Sequence, residues 1–536
     1  MHRLLLIFCL ALFFSIGFTL TGFTQTMSTR TTTSQVQSSR TASAQTASTQ
    51  TMSVLPDFPQ NGPSRLDPRY KDDSILISRL ADEVLVNSTA YSNLRTLTGT
   101  VGGRLSGSPQ YYLAETWGQQ ALHDAGADKV WLQECMVPHW IRGGKDSASW
   151  TMTAGATSAS GGAAAAVTRS GAANADAAAS GGSLNILALG NSLGTGPQGI
   201  EAPVVLIHSF EELEQRGAAV KGKIVFYNYK FNAKLIETFR AYGDAVRYRV
   251  FGASKAAQYG AVAVIVRSMS ESVDNNPHTG AMFYNDSFPK IPAAAVGLWD
   301  ADKLASALEK NGDGNVRIYL RTQGQMLPDT LAHNVIGELT GTEHPDQYIT
   351  VGGHLDSWDP AEGAQDDGAG CVHSIEVLRA LKAIGYKPRH SIRIVLFANE
   401  ENGGRGGEKY AETAKDRKEQ HLFGLESDAG GFTPRGFSIS LPEEKLARIR
   451  PWLQLMQPYG VYQFNTGGGG SDVTPLGKQL WVTVGELIPD SQRYFDYHHA
   501  ASDVLANVNK RELELGALDM AILIYLVDKY GFDNGK

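Results

Sequence analysis

Residues 348–402 read YITVGGHLDSWDPAEGAQDDGAGCVHSIEVLRALKAIGYKPRHSIRIVLFANEEN. Three segments of this stretch take regular structure on pattern alone. Residues 348–351 form a short apolar strand. Residues 370–385 place Ile375, Leu378, Leu381 and Ile384 on one face at helical spacing. Residues 391–398 are a nearly continuous apolar run, as in a parallel strand buried on both faces. Strand, helix and strand in that order predict an open α/β sheet, whose sites lie beyond the carboxyl ends of its strands. Farther on, residues 513–527 predict an apolar-faced helix that closes the chain.

Toward the N terminus the pattern loosens. Residues 111–125 have helical spacing in Leu113, Trp117, Ala121 and Leu122, and 129–132 read as the strand that follows. Short apolar runs at 204–207, 223–227 and 261–266, with a short helix candidate at 254–259, read as a compact β-rich module extending to Arg321. Residues 26–53 are Ser, Thr, Gln and Ala with almost no large apolar side chain, so they cannot offset their ordering entropy and read as a tether. Residues 153–182 are Ala/Gly/Ser-rich and read as a surface loop. Residues 1–25, with Arg3 before an apolar run and then small and polar residues, have the grammar of a signal peptide, which implies a secreted or periplasmic protein. Nothing downstream is apolar and long enough to span a bilayer. Cys9 lies inside the apolar run, and removal of the signal leaves Cys135 and Cys371, with one disulfide open to them.

Composition narrows the class. The 536 residues carry 42% hydrophobic and 19% charged side chains and a net charge of −7, which supplies no broad cationic field for nucleic acid or an anionic membrane. The chemistry gathers after the strands. His354 and Asp356 follow the first strand, Asp366 and Asp367 sit in the glycine-rich turn before the helix, and Glu400 and Glu401 end the next strand. Asp428 lies in GLESDAGG (424–431), and His498 and His499 lie in YFDYHHAASD (494–503). Carboxylates at the ends of buried strands are costly unless something cationic gathers them, and none of these segments contains Lys or Arg. A metal ion is the economical counter-charge. Carboxylate with imidazole and no thiolate suits zinc, with manganese or cobalt as alternatives. Adjacent glutamates at a strand end point opposite ways, so one can bind metal while the other reaches a bound water as general base.

The ordered series HLDSWD, DDG, EE, ESDAG and HHxxxD resembles the M28 family of dinuclear zinc peptidases, and within it the plasma glutamate carboxypeptidase (carboxypeptidase Q) branch. The flanking GGRLSGS, VPHWIRG, PHTG, PKIPAAAV and GGGGSD are similar to that branch, and the likeness runs from Arg79 to the C terminus. The resemblance implies His354 and Asp428 on one zinc, Glu401 and His499 on the other, Asp366 bridging both, and Glu400 as general base. It implies that Asp356 accepts from His354 and fixes its tautomer. His499 matches rather than His498 because the family's ligand lies four residues before an Asp, here Asp503. Asp503–Val504 stands where the family usually has Asp-Thr, and the Ala/Gly/Ser loop also departs from its pattern.

The implied fold is a zinc-exopeptidase-like mixed sheet flanked by helices. It would be interrupted by an inserted β-rich protease-associated (PA-like) domain over 137–328, with 71–136 and 329–536 as the two parts of the peptidase domain and 26–70 as tether. Two zinc ions per chain, short peptide substrates and a homodimer are implied with it, and His278 of the PHTG segment reads as structural. A non-catalytic binding module of the same fold would have lost ligands or base, and here every position is filled. A glutaminyl-cyclase-like acyltransferase would use one zinc, and no G-x-S-x-G elbow follows a strand to suggest a serine hydrolase.

Overall fold

The computed structural model describes residues 66–152 and 181–532. The segments read as signal peptide, as tether up to residue 65 and as Ala/Gly/Ser loop up to residue 180 lie outside the described residues. At the end of the tether segment, Pro68–Tyr70 forms a turn of 3-10 helix, and Tyr70 is buried.

Two eight-stranded mixed sheets organise the described residues. In chain order the strands are β1 (Lys129–Ile141), β2 (Ser147–Met152), β3 (Gly181–Leu184), β4 (Ile186–Ala188), β5 (Ile200–Ile207), β6 (Ile224–Tyr227), β7 (Ala263–Arg267) and β8 (Ala293–Val296). They continue as β9 (Val316–Arg321), β10 (Gln325–Leu339), β11 (His344–His354), β12 (His390–Phe397), β13 (Gln420–Glu426), β14 (Pro434–Ile439), β15 (Gln463–Thr466) and β16 (Thr483–Pro489). The first sheet has the order β1-β10-β12-β11-β13-β16-β14-β15, and the second β3-β2-β9-β5-β6-β7-β8-β4.

In the first sheet β12, β11, β13 and β16 run parallel, so their carboxyl ends open on one edge. Alternation along the strands serves two cores. Val335, Ile394 and Leu396 enter a core with the helices Lys71–Asn87, Pro109–Asp124, Ala369–Ala383 and Lys510–Tyr530. Ile336, Val395 and Phe397 enter the opposite one, with Arg405–Asp416 and Thr474–Leu480. The helix predicted at 370–385 spans Ala369–Ala383 with Ile375, Leu378 and Leu381 fully buried, as its spacing required. Helix Pro109–Asp124 buries Ala121 and Leu122 and half-buries Trp117 as its spacing required, but Leu113 is 56% exposed and the face is completed by Tyr111, Ala114 and Gly118.

β1 is longer than the predicted 129–132, because its later residues alternate between exposed and buried and leave no continuous apolar run. It pairs antiparallel with β10 from Lys129↔Glu338 to Ile141↔Gln325. The chain thus leaves the first sheet on β1, builds the second sheet, and returns on β10.

The second sheet is less β-rich than its apolar runs suggest. β5 to β8 are parallel, and helices Phe210–Arg216, Thr238–Ala257 and Leu298–Asn311 accompany them. The short helix expected at 254–259 is the end of the 20-residue helix Thr238–Ala257. Its buried face is made largely of small residues, Ala241, Ala245, Gly252, Ala253 and Ala256, around Tyr248 and Arg249, so a pattern of large apolar residues misses it. Cys135 and Cys371 are buried and free. No helix among the described residues is long and apolar enough to cross a membrane.

Candidate metal centre

The end of β11 and the segments beyond β11, β12, β13 and β16 bring five of the predicted side chains together: His354, Asp366, Glu401, Asp428 and His499. Asp366 stands at the centre. Its Oδ1 lies 3.2 Å from His354 Nε2 and its Oδ2 lies 3.2 Å from His499 Nε2. Asp428 Oδ1 completes the first side at 3.2 Å from His354 Nε2, and Glu401 Oε2 completes the second at 3.1 Å from His499 Nε2. His498 stands farther off, 3.8 Å from Asp366 Oδ2, with its ring stacked on that of His499 at 3.5 Å. Distance therefore favours His499, in agreement with its spacing from Asp503.

Local structure explains these placements. Asp503 is buried, and its carboxylate accepts from the main-chain N–H groups of Ala364 (3.1 Å), Gln365 (2.6 Å) and Asp366 (3.2 Å), which shapes the turn that carries Asp366. Asp367 does not face the centre in the same way. It accepts from His354 N at 3.0 Å and from Gly370 N at 2.8 Å, at the N-terminus of helix Ala369–Ala383, where the helix dipole favours a carboxylate. Glycine is needed at 370 because a Cβ there would run into Asp367 and the Ser427 carbonyl. Arg104 of the GGRLSGS segment is fully buried and donates to the carbonyls of Leu355 (2.5 Å), Glu362 (2.8 Å) and Gly363 (3.0 Å), tying the loop after β11 to this turn.

Two expectations change in detail. The acceptor for His354 Nδ1 is the main-chain oxygen of Asp356 at 2.9 Å, and the Asp356 carboxylate stands 3.8 Å away. That carboxylate accepts instead from the main-chain N–H of Glu400 at 3.0 Å. The two glutamates also do not alternate from a strand end: β12 stops at Phe397, and Asn399, at φ 64°, turns the chain so that Glu400 is half-buried and Glu401 is buried. Sequence reasoning passed over three contributors. Asp503 was read only as a spacing mark, Arg104 carried no signal beyond its motif, and Trp358 forms a wall of the cleft with its ring 5.8 Å from that of His499.

The residues fit a cation. Asp366 Oδ2 and Glu401 Oε1 are buried and receive no hydrogen bond, although imidazole nitrogens stand close by. Donor atoms of His354, Asp366 and Glu401, of Asp366, His498 and His499, and of His354, Asp367 and Asp428 each lie within 4.8 Å of one another. The electrostatics show the same demand for positive charge. Burial opposes charge on His354, yet Asp428 and Asp366 hold its imidazolium well above the usual range. Burial likewise opposes charge on His499, and Glu401 with Asp366 raises it to about 9. Burial and Asp366 push Glu401 up to about 8, and burial takes Asp428 to about 6. A divalent ion meets that demand without protons. The donor set, oxygen and imidazole without thiolate, is one that zinc accepts.

Comparison with known proteins agrees. Residues 334–521 match the model of peptidase family M28. The chain is 34% identical to carboxypeptidase Q of Homo sapiens over 442 residues, 82% of this chain and 85% of that protein. It is 32% identical to carboxypeptidase Q of Mus musculus over 462 residues, 85% of this chain and 89% of that one. Among solved structures, a peptidase M28 precursor from Shewanella amazonensis superposes with a TM-score of 0.76 at 30% identity, covering 85% of this chain and 97% of its own. A zinc aminopeptidase from Bacillus subtilis shares the fold, with a TM-score of 0.54 at 18% identity over 81% of this chain and 93% of its own. The chain belongs to peptidase family M28, in its carboxypeptidase Q-like branch, and is a zinc-dependent metallopeptidase.

Proposed function

We propose that the chain is an exported exopeptidase acting on dipeptides or short peptides with two zinc ions, one held by His354 and Asp428, the other by Glu401 and His499, and both by Asp366. The observation that carries this reading is Asp366 itself: its two oxygens face two different histidines, each accompanied by its own second carboxylate. Bound there, the ions would supply Lewis acidity for the scissile carbonyl and lower the pKa of a water toward neutrality.

The chain's own residues do the rest. Glu400 is the general base: it takes a proton from the attacking water and returns it to the leaving amine. Asp356 Oδ1, accepting from Glu400 N, supports the backbone that presents this carboxylate. Trp358 lines the cleft beside Asp366, Glu401 and His499, and a cleft walled in this way suits small peptides. The second sheet supports reading 137–328 as an inserted PA-like domain between 71–136 and 329–536. The resemblance to the family supports a homodimer, and the sequence of residues 1–25 supports export.

Glu400→Gln tests the mechanism. The variant is expected to keep both metals by native mass spectrometry and to lose about 10²–10⁴-fold in turnover of a dipeptide panel, with KM little changed. Turnover within about tenfold of the parent in the fully metallated variant would sink the assignment of the base.

A further inference from the structure

His499 is not held by the first sheet alone. Its backbone is left-handed, at φ 62°, a conformation that costs a non-glycine residue on the order of 1–3 kcal/mol and persists where the surroundings over-determine it. The determining contacts come from segments of the second sheet. Thr279 N donates to the His499 carbonyl at 3.0 Å, and the Thr279 carbonyl lies 3.3 Å from His499 Nδ1. Arg249, on helix Thr238–Ala257 and 6% exposed, donates through Nη2 to Tyr242 at 2.7 Å, and its Nη1 lies 3.3 Å from both the Thr279 carbonyl, to which it donates, and His499 Nδ1.

Thr279 is itself anchored, its hydroxyl donating to the Ala188 carbonyl at the end of β4 at 2.8 Å. Gly280, at φ 126°, leaves no room for a side chain: a Cβ there would stand 2.5 Å from the Arg249 guanidinium and 2.6 Å from His499 Nδ1. A guanidinium has no lone pair to offer, so the acceptor available to an Nδ1–H of His499 is the Thr279 carbonyl. With the proton there, the Nε2 lone pair faces Glu401 and Asp366.

We propose that Thr279 and Arg249 form a clamp that sets the tautomer and posture of His499, so that the second sheet is a working part of the metal site held by Glu401 and His499. The proposal rests on the two-metal reading above. Thr279 and Arg249 are positioning residues, since each acts through His499. Outer partners of ligating histidines are typically worth about 10–100-fold in metal affinity.

The test is zinc affinity and stoichiometry of the full chain, by chelator competition and native mass spectrometry, in Arg249→Met and Gly280→Ala, with near-UV circular dichroism reporting the fold. Both variants are expected to keep one zinc at the parent affinity and to bind the second about 10–100-fold more weakly. Arg249→Lys should recover part of the loss, because an ammonium still donates to the Thr279 carbonyl. Added to Asp428→Asn, Arg249→Met should leave no tightly held ion; added to Glu401→Gln it should change little. Both zincs held within about twofold of the parent in a folded Arg249→Met would overturn the clamp. Should Gly280→Ala fail to fold, Arg249→Met decides alone. A parent that itself takes up one ion defeats the two-metal reading, and the clamp then stands only if Arg249→Met weakens that ion.

Discussion

Asp503→Asn asks how far one buried carboxylate holds the turn that carries Asp366. Asp503 Oδ1 accepts from Ala364 N at 3.1 Å and Gln365 N at 2.6 Å, and Oδ2 accepts from Asp366 N at 3.2 Å. Asparagine keeps the shape but replaces one acceptor oxygen with an NH2 donor. In its better orientation it preserves the two Oδ1 bonds and sets that NH2 against the Asp366 N–H. Counting the Asp366 N–H alone, a buried donor left unsatisfied costs about 1–3 kcal/mol. Hydrogen exchange read by mass spectrometry, on metal-free protein so that metal binding does not enter, reports this locally. The peptide covering 364–366 should exchange about 5–150-fold faster than in the parent, at about 1.4 kcal/mol per tenfold, while distant peptides stay unchanged. Unaltered exchange in that peptide would refute the idea that Asp503 holds the turn.

Three other outcomes follow from the contacts described. Asp366→Ala should weaken both metals whereas Glu401→Gln should weaken mainly one, with activity partly restored by excess zinc; equal loss from the two variants, measured by native mass spectrometry, contradicts the bridging role. Cys135 and Cys371 are buried and free, and burial pushes the Cys135 thiol up to about 12, so a thiol reagent should find neither in the native protein. After denaturation it should find two in a chain that has lost residues 1–25 and three in one that retains Cys9. Asp73 joins helices Lys71–Asn87 and Lys510–Tyr530 by accepting from Tyr525 (2.5 Å), Lys529 (2.5 Å) and Tyr530 (2.7 Å), and although burial raises its carboxyl, these bonds hold it below the usual range. A lowered folded-state pKa gives stability that is present above the unfolded value and lost as pH falls through the folded one. The melting-temperature gap between parent and Asp73→Asn should therefore be full at pH about 6 and close below pH about 4; a gap independent of pH contradicts the assignment.

The sequence by itself carried the helix read at 370–385, the buried strand read at 391–398 and the order of carboxylates and imidazoles after the strands. These are local: apolar spacing reports which face a segment buries, and residues that end parallel strands meet at one edge of the sheet whatever the connections do. The same locality explains what was missed. Small residues gave helix Thr238–Ala257 too little contrast to be seen, and β1 continues where its apolar run stops because the hydrogen-bond ladder with β10 continues. Which partner each polar group takes was decided only in three dimensions. Asp356 turns to Glu400 N, Asp367 to backbone donors and Asp503 to the turn before Asp366, because buried main-chain donors take whatever acceptor the packed chain brings near. No spacing in the sequence places Thr279 and Arg249 against a histidine more than two hundred residues away. That contact exists because the chain leaves the first sheet on β1, builds a second one, and returns on β10 with the two packed together.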